Sequence, residues 1–77
     1  MIKEIDHSER RFGVIAVEEG FISPAELFKA LEAQVEDHLK GRPHRLIGEI
    51  LHEEGIMTWG QVGEVLVALE VLESIEP

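Results

Sequence analysis

The sequence predicts an all-α protein: a compact four-helix domain made of two tandem helical hairpins, repeating at an interval of about 35 residues. Three observations predict it. Residues 17–27, "VEEGFISPAEL", and 52–62, "HEEGIMTWGQV", carry the same punctuation, two Glu, a Gly, two apolar residues and a hydroxyl. Sliding the chain along itself pairs Arg10 with Arg45, Gly13 with Gly48, Ile15 with Ile50 and Leu31 with Leu66. Each hydroxyl, Ser23 and Thr58, stands where a capping box would open a helix. Two copies are too few for a solenoid, so both are expected in one core. The expected boundaries are an N-terminal arm over 1–9 and a single helical domain over 10–77, with repeats 10–41 and 42–77.

The first helix is ambiguous from pattern alone, because "FGVIAV" at 12–17 is rich in β-branched residues and reads equally as a buried strand. Its counterpart decides for helix. There Leu46, Ile47, Ile50 and Leu51 fall on one side at helical spacing, and Gly55 stands where a left-handed glycine ends a helix. The second helix opens at Ser23 with Pro24 at N1, where a missing N–H costs nothing, and Glu26 at N3. Leu27, Phe28, Leu31, Val35 and Leu39 form its apolar stripe, and Gly41-Arg42-Pro43 stops it. The fourth helix runs from Thr58 through Val62, Val65, Leu66, Leu69 and Leu72.

With 16 acidic and 7 basic residues among 77, the formal net charge is −9, which works against polyanionic partners and so against nucleic acid. A hydrophobic content of 44% separates the chain from disordered acidic tails. There is no cysteine, hence no disulfide or thiolate metal site, and no apolar run approaches the roughly 20 residues of a membrane helix. Residues 1–11, "MIKEIDHSERR", lack the apolar centre of a signal peptide. A cytoplasmic protein that does not engage membranes is expected.

Arg10, Arg11, Lys40, Arg42 and Arg45 lie in two short stretches that antiparallel hairpins would gather at one end, opposite the Glu pairs, as a basic pole. Pairing with Glu9, Glu36, Asp37 and Glu49 is the plainer expectation for these cations. Gly13 and Gly48 lie inside helices, where Gly costs about 1 kcal/mol relative to Ala, so something must approach their backbones closely. Another helix is the usual answer. Gln34 shares the stripe of Leu27 and Leu31 and needs a partner, for which a backbone carbonyl is expected. His7, His38, His44 and His52 have no metal-ligand spacing, and no nucleophile has a base partner, so neither a metal, a cofactor nor catalysis is expected. Val67 and Val71 make the fourth helix apolar on a second side, with Trp59 at its start, which points to a shared surface.

Residues 11–34, "RFGVIAVEEGFISPAELFKALEAQ", resemble the tandem motif in the N-terminal domain of type II secretion and type IV pilus assembly ATPases, the MshEN family. Arg11, Gly13, Gly20, Leu27, Leu31 and Gln34 match that motif, with Phe12 in place of its usual Leu. In the second copy Leu46 stands at the motif arginine, with Arg45 one residue away, and Leu69 at the glutamine. The resemblance implies a cyclic di-GMP receptor, whole or half-site, in which Arg11 would pair with a phosphate, Gln34 would bond a guanine edge, and Gly13 would admit the backbone. Arg10 and Arg45 would complete such an anion site.

The leading expectation is a non-catalytic protein-interaction or regulatory module that pairs with a second copy or docks on a larger protein. Cyclic di-GMP binding is the alternative. A helix-turn-helix DNA reader ranks third, because between Pro24 and Leu39 the sole cation is Lys29.

Overall fold

Gly20, Gly41 and Gly55 adopt positive φ, at 81°, 68° and 77°, and each ends a helix. In the computed structural model, which describes residues 7–75, all three close the same turn. The amide after each glycine returns to a carbonyl five residues back: Phe21 to Ala16 at 3.0 Å, Arg42 to Asp37 at 2.8 Å and Ile56 to Leu51 at 2.9 Å. These are Schellman turns, which satisfy carbonyls that the helix end would otherwise leave open. Helix starts are fixed as firmly. Ser23 Oγ accepts from the Glu26 amide at 3.1 Å while Glu26 Oε1 accepts from the Ser23 amide at 2.8 Å. Thr58 and Gln61 exchange the same pair of bonds at 3.1 and 3.0 Å.

Between these signals run α1 (His7–Glu18), α2 (Pro24–Leu39), α3 (Ile47–Glu53) and α4 (Trp59–Ile75). "FGVIAV" is helical, and the described residues contain no strand. Helix α1 starts at His7, ahead of Arg10, so residues 7–9 of the expected arm are helical; residues 1–6 lie outside the described region.

The helices interleave. Helix α1 packs chiefly on α4 and α3 chiefly on α2, so each finds its main neighbour in the other half of the chain. At the centre α1 touches α3, while α2 and α4 lie on the flanks and do not meet. Phe12, Ile15 and Ala16 of α1 and Ile47, Ile50 and Leu51 of α3 form the middle of one core. Leu27 and Ala30 close it from one side, Val62, Val65 and Leu69 from the other.

Two internal glycines let the helices approach. A Cβ on Gly13 would collide with the Leu27 methyls of α2. One on Gly48 would lie 3.0 Å from the Phe12 ring and 3.2 Å from Val62 of α4. The pairs Gly13 with Leu27 and Gly48 with Val62 are one contact recurring 35 residues apart, and in both cases the close neighbour is another helix.

Two sequence expectations need correction. The buried face of α2 is Leu27, Ala30, Gln34 and Asp37, whereas Phe28 and Leu39 of the expected stripe are exposed. The helix is turned so that its polar end faces inward, because polar partners await it there. In the third helix, Leu46 lies outside the apolar face: it is the extended residue before α3 and is half exposed.

Candidate functional site

Helix α3 has only seven residues, too few to hold itself, and Leu46 before it has no side-chain acceptor to cap it. The acceptors come from elsewhere. Glu49 Oε1 takes the Leu46 amide at 2.8 Å, and Glu9 Oε1, reaching across from α1, takes the Ile47 amide at 2.6 Å. A carboxylate there also complements the positive end of the helix.

Gln34 Nε2 donates to the same Glu9 oxygen at 3.0 Å and to the Arg45 carbonyl at 2.9 Å. Both partners are acceptors, which orients the amide. Its Oε1 is enclosed and receives no hydrogen bond from the described residues, in a residue only 4% exposed. One turn further along α2, Asp37 is 2% exposed and holds Arg45 in a fork, Nε to Oδ2 at 2.9 Å and Nη2 to Oδ1 at 3.3 Å. Arg42 Nη1 approaches Oδ1 at 3.5 Å, and Arg45 Nη1 continues to Glu53 Oε1 at 2.8 Å. The hydrogen bond from Arg45 holds the Asp37 carboxyl below its ordinary value, the charge of Arg45 and the contact with Arg42 add to this, and burial opposes it. Bonds to Asp37 first and Glu53 second raise the Arg45 guanidinium above its already high value. This clasp ties the irregular segment 40–46 to α2, and through Glu9 to α1.

The cations therefore do not stand at a pole apart from the Glu pairs. Arg45 bonds Glu53, and Arg10 and Arg11 line a hollow with Glu18, Val14, Ile15 and Leu72. Arg42 and Arg45 meet at Asp37, while neither Gly13, Gln34 nor Arg45 lines the hollow of Arg10 and Arg11. As expected from the stripe, Gln34 does find a backbone carbonyl.

Helix α4 presents a different chemistry. Val62, Val65 and Leu69 face the core, yet Val67 is 61% and Val71 54% exposed on the far side. Gly63 lies between the core side and this outer face, with open space where its Cβ would be. Trp59, 58% exposed, stacks on His52 with ring centroids 3.8 Å apart and planes at 24°. His52 Nδ1 lies 3.1 Å from the Met57 carbonyl, an acceptor only, so that nitrogen carries the proton. Beside Trp59 a hollow of about 190 Å³ is walled by Leu46, Val62 and Leu66, floored by Gly48 and Phe12, and edged by Glu9 and Glu49.

No protein-family model, curated protein or solved structure matches the chain. Among the described residues, no cluster of His, Asp or Glu could hold a metal, and no helix is long and apolar enough to cross a membrane. Sequence reasoning treats Glu9 and Asp37 only as surface partners for the cations and misses the bond from the Ile47 amide to Glu9, the burial of Asp37 and the role of Glu53. The spacing of Leu27, Ala30, Gln34 and Asp37, three or four residues apart, is the available signal for Asp37. Glu9 leaves none, because its partner is an amide 38 residues away.

Proposed function

We propose that the chain is a non-catalytic protein-interaction module that self-associates through the outer face of α4. The observation that carries this reading is the pair Val67 and Val71, exposed one helical turn apart. Gly63 strengthens it. Five of the seven glycines have a reason inside the chain: three take positive φ and two are pressed by a neighbouring helix. Gly63 lies in the interior of α4, has neither reason, and still costs about 1 kcal/mol relative to Ala. A second helix laid against this face would supply the missing neighbour.

A two-fold arrangement would set α4 of one copy against α4 of its partner. Burying Val67 and Val71 from both copies stabilises by roughly 1.5 kcal/mol each. That total only partly offsets the cost of association, so the dimer is expected to be weak. A charge of −9 on each copy repels the other, and salt screens that repulsion. Sedimentation from micromolar to millimolar protein should therefore reveal a monomer–dimer equilibrium that tightens as salt rises. Val67→Glu combined with Val71→Glu should stay monomeric with an unchanged helical spectrum. A parent chain that remains monomeric throughout, at high salt as well, removes the self-association reading.

The cyclic di-GMP alternative asks more of the same residues. Gln34 and Arg45 would have to leave Glu9, Asp37 and Glu53, and Gly13 would need Leu27 to withdraw.

A further inference from the structure

The hollow beside Trp59 differs from the outer face of α4 in shape and in electrostatic setting. Its walls are apolar and its floor is Gly48, where a Cβ would stand 3.0 Å from the Phe12 ring, so a larger residue there would have to displace the floor. Leu46, Trp59 and Leu66, all roughly half exposed, surround an opening edged by the carboxylates of Glu9 and Glu49. The charged residues that line it are both carboxylates, Glu9 and Glu49, and the sequence after Leu46 carries no Lys or Arg. A second copy would bring like charge to this opening, so its own acidic half is a poor occupant.

We infer that this groove binds a cationic amphipathic segment of another protein, with one bulky apolar side chain seated among Leu46, Trp59, Val62 and Leu66 and flanking Lys or Arg groups over Glu9 and Glu49. The apolar anchor gives affinity and the acidic rim sets the sign of the partner. This inference rests on the reading of the chain as an interaction module but not on self-association through Val67 and Val71.

Trp59 is the chain's sole tryptophan and lies on the groove wall, so it reports occupancy directly. The full chain is titrated with a synthetic amphipathic peptide of Leu and Lys at helical spacing, with one central Phe and no Trp, while Trp59 emission is followed. Saturable blue-shifted emission is expected, with little response to a scrambled peptide of the same composition. Leu66→Glu should weaken binding by about tenfold or more, and Val67→Glu with Val71→Glu should leave it unchanged. The Leu66→Glu change adds a negative charge, so attraction by charge alone would be held or increased. Equal binding of the scrambled peptide, or undiminished binding by Leu66→Glu, overturns the inference. So does a Trp59 shift that tracks protein concentration without peptide, which would make a second copy the occupant. Failure of the groove with dimerisation intact, or the reverse, separates this proposal from the one above.

Discussion

Positions 34 and 69 are related by the same 35-residue offset, on the inner faces of α2 and α4, yet one is Gln and the other Leu. Asp37 and Leu72, at the same offset, also differ: the first is polar and buried, the second apolar and exposed. For α2, the chain immediately beyond the helix explains the contrast. Its end must hold the irregular segment 40–46 and the start of α3, whose first amides take their acceptors from Glu9 and Glu49, and that backbone presents carbonyls and amides needing partners. Leu69 belongs to the hydrophobic core. Polar and apolar ends are thus two solutions within one helical frame, and the choice depends on what each helix end must hold.

Exchanging the residues should expose the asymmetry. Leu69→Gln places an amide in the core where no Glu9 or loop carbonyl waits, at an expected cost of about 3 kcal/mol from lost apolar burial and unpaired polar atoms. Gln34→Leu gives up bonds to Glu9 and the Arg45 carbonyl but also removes the unpartnered Oε1, so a cost of about 1 kcal/mol or less is expected. Urea unfolding of both variants measures the difference. Equal losses would mean that local partners do not distinguish the two ends.

The clasp should also give the first half an acid sensitivity of its own. Because the Asp37 carboxyl lies below its ordinary value of 3.8 in the folded chain, its contribution is complete above that value. It is lost as pH falls through the lower folded value. The melting temperature of the parent should therefore fall more steeply below about pH 4 than that of Asp37→Asn, which starts lower but lacks this carboxylate. Parallel acid profiles would show that Asp37 and Arg45 are not coupled in solution.

The smallest expected effects test likeness instead. Ser23→Ala and Thr58→Ala each remove one hydroxyl from matching capping boxes, and each should cost about 1 kcal/mol. Thermal denaturation that finds one of them neutral would end the equivalence of the two turns.

Local chemistry explains how much of this was legible. Caps at Ser23 and Thr58 and stops at Gly20, Gly41 and Gly55 act within a few residues, so the chain displays them openly. The rotation of α2 was hidden because Phe28 and Leu39 look like core residues, while Gln34 and Asp37 become buried only once Glu9 and Arg45 arrive from other elements. Arginines at 11 and 45 look alike in sequence, and no local rule states that Arg45 is committed to Asp37 and Glu53. Exposure of Val67 and Val71 was legible from α4 alone, since one helix cannot turn all its sides to one core.

The interleaved packing bears on how the molecule could be divided. With α1 resting on α4 and α3 on α2, neither half encloses its own apolar surface. Residues 40–46 are the covalent tie between them, so fragments cut there should depend on one another to fold. At high concentration, the same geometry gives intact chains a route to trade halves, each copy completing its neighbour with the contacts it would otherwise make within itself.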